Sequence, residues 1–201
     1  LLIRVHLNTA ELDIIKAAMD QFPLSFEHAN TQRRSERKFV KHAVSLDGMN
    51  LYFAAKELRA DQGTVEAAML QNPLALGAAA EKLRNTLGSD RDLMEAAVAI
   101  NGRALQYASA ALKADKALVM AAVAQDSFAL EFAADFLKND KEVVLATAQG
   151  GRGGGAVKLF ASKHLRKDDE VDLACMPPTE RYATLAARTA FEISKSNNQG
   201  S

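Results

Sequence analysis

Apolar and polar positions along the chain recur in a register of about 25 residues. The plainest column is an alanine preceded by an apolar, aromatic or histidine residue: His28-Ala29, Phe53-Ala54, Ala78-Ala79, Tyr107-Ala108, Phe132-Ala133 and Phe160-Ala161. These alanines are spaced 25, 25, 29, 25 and 28 residues apart. The segment Thr86 to Ser89 accounts for the first long interval, and the run Gly150 to Gly155 for the second. An acidic column keeps the same register: Glu11, Glu36, Asp61, Asp90, Asp115, Asp140 and Asp168. Behind its first six members, at helical spacing, stand Ile15, Val40, Val65, Met94, Val119 and Val144, then Ala18, Ala43, Ala68, Ala97, Ala122 and Thr147.

Each period reads as two short helices. The acid opens the first, where a carboxylate caps free N–H groups and complements the helix dipole. Glu caps poorly, so Thr9 and Ser35 are expected to cap the first two repeats. A turn follows at Phe22-Pro23, Asp47-Gly48, Asn72-Pro73, Asn101-Gly102 and Asp126-Ser127. The second helix carries Leu105, Ala108 and Leu112 in one copy and Leu130, Ala133 and Leu137 in the next. It ends on a cation, Arg34, Arg59, Arg84, Lys113, Lys138 or Arg166, placed to suit the dipole and the acid that follows. One such hairpin cannot bury its own apolar face, and stacking solves that. The expected fold is therefore all-α: an α-solenoid of about six 25-residue helix-turn-helix repeats with a C-terminal capping helix. Residues 1–8 form a lead-in, 9–168 the array, 169–195 the capping segment and 196–201 a disordered tail. In the capping segment, Pro178 or Thr179 opens a last helix. One face of it collects Tyr182, Leu185, Ala186, Thr189, Ala190 and Ile193.

Composition narrows the picture. Apolar residues make up 48% and charged residues 25% of 201 residues, enough to build a core and stay soluble. Lys plus Arg and Asp plus Glu are equal at 25 each, which argues against a general polyanion binder. Cys175 is the single cysteine, so no internal disulfide forms. No apolar run approaches the ~20 residues of a membrane span, although a membrane complex could still be the partner.

The segment Asp90 to Asp115 holds Ala97-Val98, Asn101-Gly102-Arg103-Ala104-Leu105-Gln106-Tyr107-Ala108-Ser109 and Leu112-Lys113. It resembles the tandem repeat of the domain of unknown function 4116, common in large proteins of algae and other protists. Asp115 to Asp140 matches as well. The first copy departs, with Arg33 where Leu58, Leu83, Leu112 and Leu137 stand elsewhere, and the sixth is broken by its glycines. The resemblance implies a helical repeat and carries no chemistry with it. Together with a first residue other than Met, the family's abundance in algae points to a processed plastid or mitochondrial protein, or otherwise a cytoplasmic one.

No catalytic constellation, cofactor motif or metal motif is legible. His6, His28, His42 and His164 form no ligand pair, and His28 fills the aromatic column as a core or rim imidazole. Cys175 has no histidine near it in sequence. The acidic column reads as capping rather than calcium binding. The glycine run lacks the Lys-Ser/Thr ending of a phosphate loop and reads as a flexible loop projecting between the two helices of the sixth hairpin. The expected function is a non-enzymatic scaffold or protein-binding subunit of a larger assembly, contacting partners through Arg152, Tyr52 and the exposed face of the last helix around Tyr182. The alternative is a helical-repeat nucleic-acid-binding module, which calls for base-reading polar columns and excess positive charge. Neither is present, so no nucleic acid is expected.

Overall fold

The computed structural model describes residue 14 and residues 16–149 and 153–198. Among these residues every regular element is helical. A repeat opens on a longer α-helix: residues 16–21 (α1), Arg37–Leu46 (α3), Gln62–Gln71 (α5), Arg91–Ile100 (α7), Lys116–Gln125 (α9) and Lys141–Gln149 (α11). A 3-10 helix follows: Pro23–His28 (η1), Gly48–Phe53 (η2), Pro73–Ala78 (η3), Gly102–Tyr107 (η4) and Ser127–Phe132 (η5). A short α-helix closes the repeat: Thr31–Ser35 (α2), Lys56–Arg59 (α4), Glu81–Leu87 (α6), Ala110–Lys113 (α8) and Asp135–Lys138 (α10). Beyond α11 come Gly153–Phe160 (α12), Leu165–Lys167 (η6), Asp169–Cys175 (α13) and Pro178–Asn198 (α14).

The acidic column caps as expected. Asp61, Asp90, Asp115, Asp140 and Asp168 accept the N–H of Thr64, Leu93, Leu118, Val143 and Val171 at 2.9–3.3 Å. Such a cap is worth about 1 kcal/mol. Glu36 stands at the same place without a side-chain cap. Ser35 does not cap α3 in its stead: its hydroxyl donates back to the Thr31 and Gln32 carbonyls of α2. Glu36 instead accepts the guanidinium of Arg33 at 2.8 Å, which lets that arginine sit buried in the leucine column, its charge 6.0 Å over the Phe39 ring. Glu11 and Thr9 lie outside the described residues.

The second helix of each repeat is not one α-helix. Asp47, Asn72, Asn101 and Asp126 hold an extended backbone and accept the N–H two residues on, at 2.8–3.0 Å. From there one buried column follows a period of three, Gly48, Leu51, Ala54; Pro73, Leu76, Ala79; Gly102, Leu105, Ala108; Ser127, Leu130, Ala133, with Asn50, Ala75, Ala104 and Ala129 buried beside it. Three residues per turn aligns such a trio, whereas in an α-helix each third residue lags by about 60°. The 3-10 helix then stops because the chain is needed elsewhere. The N–H of Ala55, Ala80, Ser109, Ala134 and Ser162 leaves its own segment. It donates to a carbonyl at the end of the preceding repeat's short helix: Arg34, Arg59, Gly88, Lys113 and Lys138, at 2.7–3.0 Å. This main-chain rung ties each repeat to the one before it.

The same rung explains how the first insertion is absorbed. Thr86 to Ser89 lengthen α6 to 7 residues where α4 and α10 have 4, close to one α-turn. Leu87 is then buried in the role Leu58 and Leu137 play, and Gly88 supplies the rung carbonyl in place of Arg84. Of the glycine run expected as a loop, residues 150–152 lie outside the described residues, and the rest departs from that expectation. Gly153 to Gly155 form the first turn of α12, which packs on η5, α11 and α13. A Cβ on Gly154 would stand 2.8 Å from the Cys175 carbonyl, so the missing side chain is what allows that approach.

Contacts divide the chain into two compact units, Leu1–Leu112 and Lys113–Ser201. In the first, α3 lies along α5 and η2 along η3. Its core is formed by Phe26, Phe39, Val40, Leu51, Val65, Leu76, Met94 and Leu105. In the second, α11 lies between α9 and α13, burying Val119, Leu130, Leu137, Val144 and Val171. The last helix departs from expectation. Pro178 does open it, but it continues to Asn198, past the start of the expected tail. Towards α13 it turns Arg181, which donates to the Ala174 and Met176 carbonyls, and the half-buried Thr184. Tyr182 and Leu185, expected to cover the last hairpin, are 74% and 42% exposed.

Candidate interaction surface

Most charged columns are committed within the array. A cation directly after the capping acid, overlooked in the sequence reading, reaches the capping acid of the next repeat. Arg37 pairs with Asp61 at 2.8 Å. Lys116 pairs with Asp140 at 2.7 Å and Glu142 at 2.7 Å, and Lys141 with Asp168 at 3.0 Å and Glu170 at 2.8 Å. The column was visible as Arg37, Arg91, Lys116 and Lys141, with Gln62 in the same place. The cations at the short-helix ends do more than suit a dipole. Arg34 donates to the Ala29 and Glu27 carbonyls, Arg84 to Gly77 and Arg166 to Lys158. They satisfy carbonyls that the preceding helix leaves open at its end.

These contacts shift ionisation. The Asp61 carboxyl is held below the usual range by the Thr64 hydroxyl and, against some burial, by Arg37. Asp140 is held low chiefly by Lys116, and Asp168 chiefly by Lys141. Lys116 is raised by Asp140 and Glu142, and Lys141 by Glu170 and Asp168. The depressed carboxyls stabilise the fold above their unfolded pKa of about 4, and that stability is lost as pH falls through the lower folded values. The raised lysines stabilise it below about 10.4, and that is lost as pH rises through the higher folded values. Thermal melts are expected to fall as pH drops below the first limit and as it rises past the second. In a Lys116→Gln, Lys141→Gln double variant the alkaline decline should be shallower than in the wild type. Superimposable alkaline limbs would show the ladder to be energetically silent.

The expected contact residues fall in different places. Tyr52 is 46% exposed at the end of η2. It lies beside Tyr107, whose phenol is pushed up by burial and then by Tyr52. The two hydroxyls meet over Gly77, where a Cβ would stand 2.3 Å from one and 2.6 Å from the other. Tyr182 stands exposed on α14, in the second unit. Arg152 lies outside the described residues.

Two further features were not anticipated. A groove between α5 and α7 is lined by Glu66, Met69, Leu70, Leu93, Ala97 and Ile100. In the second unit, a shallower depression beside α11 includes Met120, Leu145 and Gln149. Leu70 and Ile100 carried a signal in the sequence, as large aliphatic residues late in α5 and α7, outside the Val and Ala columns.

The histidines and the cysteine lie apart among the described residues. His28 is exposed beside Glu27 at 3.3 Å, and His42 Nε2 is 3.5 Å from Asp20. His6 lies outside the described residues. Cys175 is half-buried, and burial pushes its thiol up, away from a reactive thiolate. Among the described residues no group of three or more His, Cys, Asp or Glu could hold a metal, and no helix is long and apolar enough to cross a membrane.

Repeated caps, rungs and ion-pair ladders define this chain as an all-α array of tandem helical repeats, with surface grooves as its candidate sites. The particular family follows from comparison with known proteins. The chain belongs to the family described as Domain of unknown function (DUF4116), whose model matches five overlapping stretches, 12–59, 36–84, 61–113, 90–137 and 115–149. The matches end where the glycine run begins. No curated protein and no solved structure matches the chain.

Proposed function

We infer that this chain is a non-enzymatic helical-repeat scaffold that binds protein within a larger assembly. One observation carries the reading: the polar columns are spent on internal caps and ladders, while large apolar side chains stand outside. Leu70, Ile100, Phe136, Leu159 and Tyr182 are all exposed. Scattered apolar residues are ordinary on a protein surface, but a concave apolar strip such as the one between α5 and α7 is the kind of feature that partners cover. The equal charge balance favours protein over nucleic acid as that partner.

The test is recovery of the native protein from its source cells at moderate salt, with and without nuclease, followed by mass spectrometry. A defined protein set at fixed stoichiometry, unchanged by nuclease, is expected. Loss of every partner on nuclease treatment, with bound RNA or DNA in the untreated sample, would overturn the scaffold reading in favour of a nucleic-acid-binding array.

A further inference from the structure

At several steps of the array a long helix is covered along its flank by the next one. In the first unit α3 lies against α5; in the second, α9 lies against α11 and α11 against α13. Between α5 and α7 the flanks part, leaving a groove of about 200 Å³. Two irregularities coincide at this junction. α6 is a turn longer than α4, and Gln62 takes the place of the ladder cation, its amide donating to Glu66 in its own helix. The groove walls carry Met69, Leu93 and Ala97, and its lips carry Leu70 and Ile100, 76% and 49% exposed. The charge in its lining is the carboxylate of Glu66. On α3, α9 and α11 this flank meets the next long helix, so the chemistry that fits is a helix with apolar residues at i, i+3 and i+4 and a cation beside them.

The chain itself carries such a helix. α14 is 21 residues long, exposes Tyr182, Leu185 and Ala186 at that spacing, and has Arg188 exposed next to them. Its inner side is already used by Arg181 and Thr184 against α13.

We propose that α14 of one copy docks in the groove between α5 and α7 of a second copy, with Leu185 on Leu70 and Ile100 and Arg188 facing Glu66. The two surfaces differ, so the contact is heterologous and a docked pair keeps one free groove and one free helix for further neighbours. The proposal adds self-assembly to the scaffold reading and does not depend on which other proteins the scaffold holds.

The test is sedimentation velocity of the full chain across a concentration series, for the wild type and for Leu70→Glu and Leu185→Glu. Both leucines are exposed, so both variants should keep wild-type circular dichroism and melting temperature. The wild type is expected to grow into species larger than a dimer as concentration rises. Each variant alone should lose at least about tenfold in association constant. An equimolar mixture of the two variants should form a one-to-one pair and nothing larger, because one retains the helix and the other the groove. A wild type that stays monomeric would overturn the proposal. So would variants that associate like the wild type, or a mixture that stays monomeric. Recovery of native partners in the pull-down is independent of all three results.

Discussion

Leu130→Ala is expected to cost about 2–5 kcal/mol, while Glu131→Ala, one residue along, stays within about 0.5 kcal/mol. Leu130 is the middle of the η5 trio and is fully buried, in an element that packs on α9, α11 and α12, whereas Glu131 faces solvent. Removing its branched end leaves a cavity among three helices held by rungs on either side, so little relaxation can fill it. Neighbouring repeats unfold together only as far as their interfaces couple them. The reading should therefore be the urea midpoint followed by circular dichroism, with a check that the slope is unchanged. Equal costs at 130 and 131 would mean that the 3-10 face does not point into the core.

That contrast also marks where the sequence could be read and where it was misread. The capping acids were legible because the cap is a local bond: Asp61 and the N–H it accepts lie three residues apart. The buried columns of the long helices were legible for a similar reason, since α periodicity is written along one segment. The second helix was misread because Leu105, Ala108 and Leu112 satisfy an α-helical spacing when taken alone. Only Gly102 ahead of them gives the period of three away. Its cause, the rung from Ser109 to the Gly88 carbonyl, joins two repeats and leaves no residue signature, since any residue but proline can donate it. The glycine run was misread by composition: Gly153 to Gly155 are poor helix formers, yet they begin α12 where packing on Cys175 favours the absence of a side chain. For the candidate surface, Tyr52 is exposed, and Tyr182 is exposed on a helix face that the sequence pattern had assigned to covering the last hairpin. The groove between α5 and α7 was not foreseen, because it depends on a helical turn inserted outside both of its walls.

Two glycines in neighbouring elements should answer the same substitution with opposite signs. At Gly48, at the head of η2, a Cβ would stand 2.4 Å from the Ala68 carbonyl oxygen and 3.1 Å from both the backbone nitrogen and the Cβ of Asn72. These are atoms of α5 and its cap in the next repeat, and backbone atoms cannot swing aside. The Gly48 N–H is also held by the Gln71 side chain at 2.6 Å. No described glycine has a positive φ, so alanine costs nothing in backbone conformation and gains about 0.4–1 kcal/mol by restricting the unfolded chain. Overpacking at such a contact costs about 1–3 kcal/mol, which outweighs that gain. Gly48→Ala should therefore destabilise by about 1–2 kcal/mol. Gly63, inside α5, meets only the Lys41 Nζ at 3.7 Å and is exposed. There the same change should stabilise by about 0.5–1 kcal/mol, because only the helix and unfolded-chain effects remain. Paired urea titrations decide the matter. If Gly48→Ala is neutral or stabilising, α5 does not sit this close to η2, and the interlock between these two repeats must rest on its side-chain packing alone.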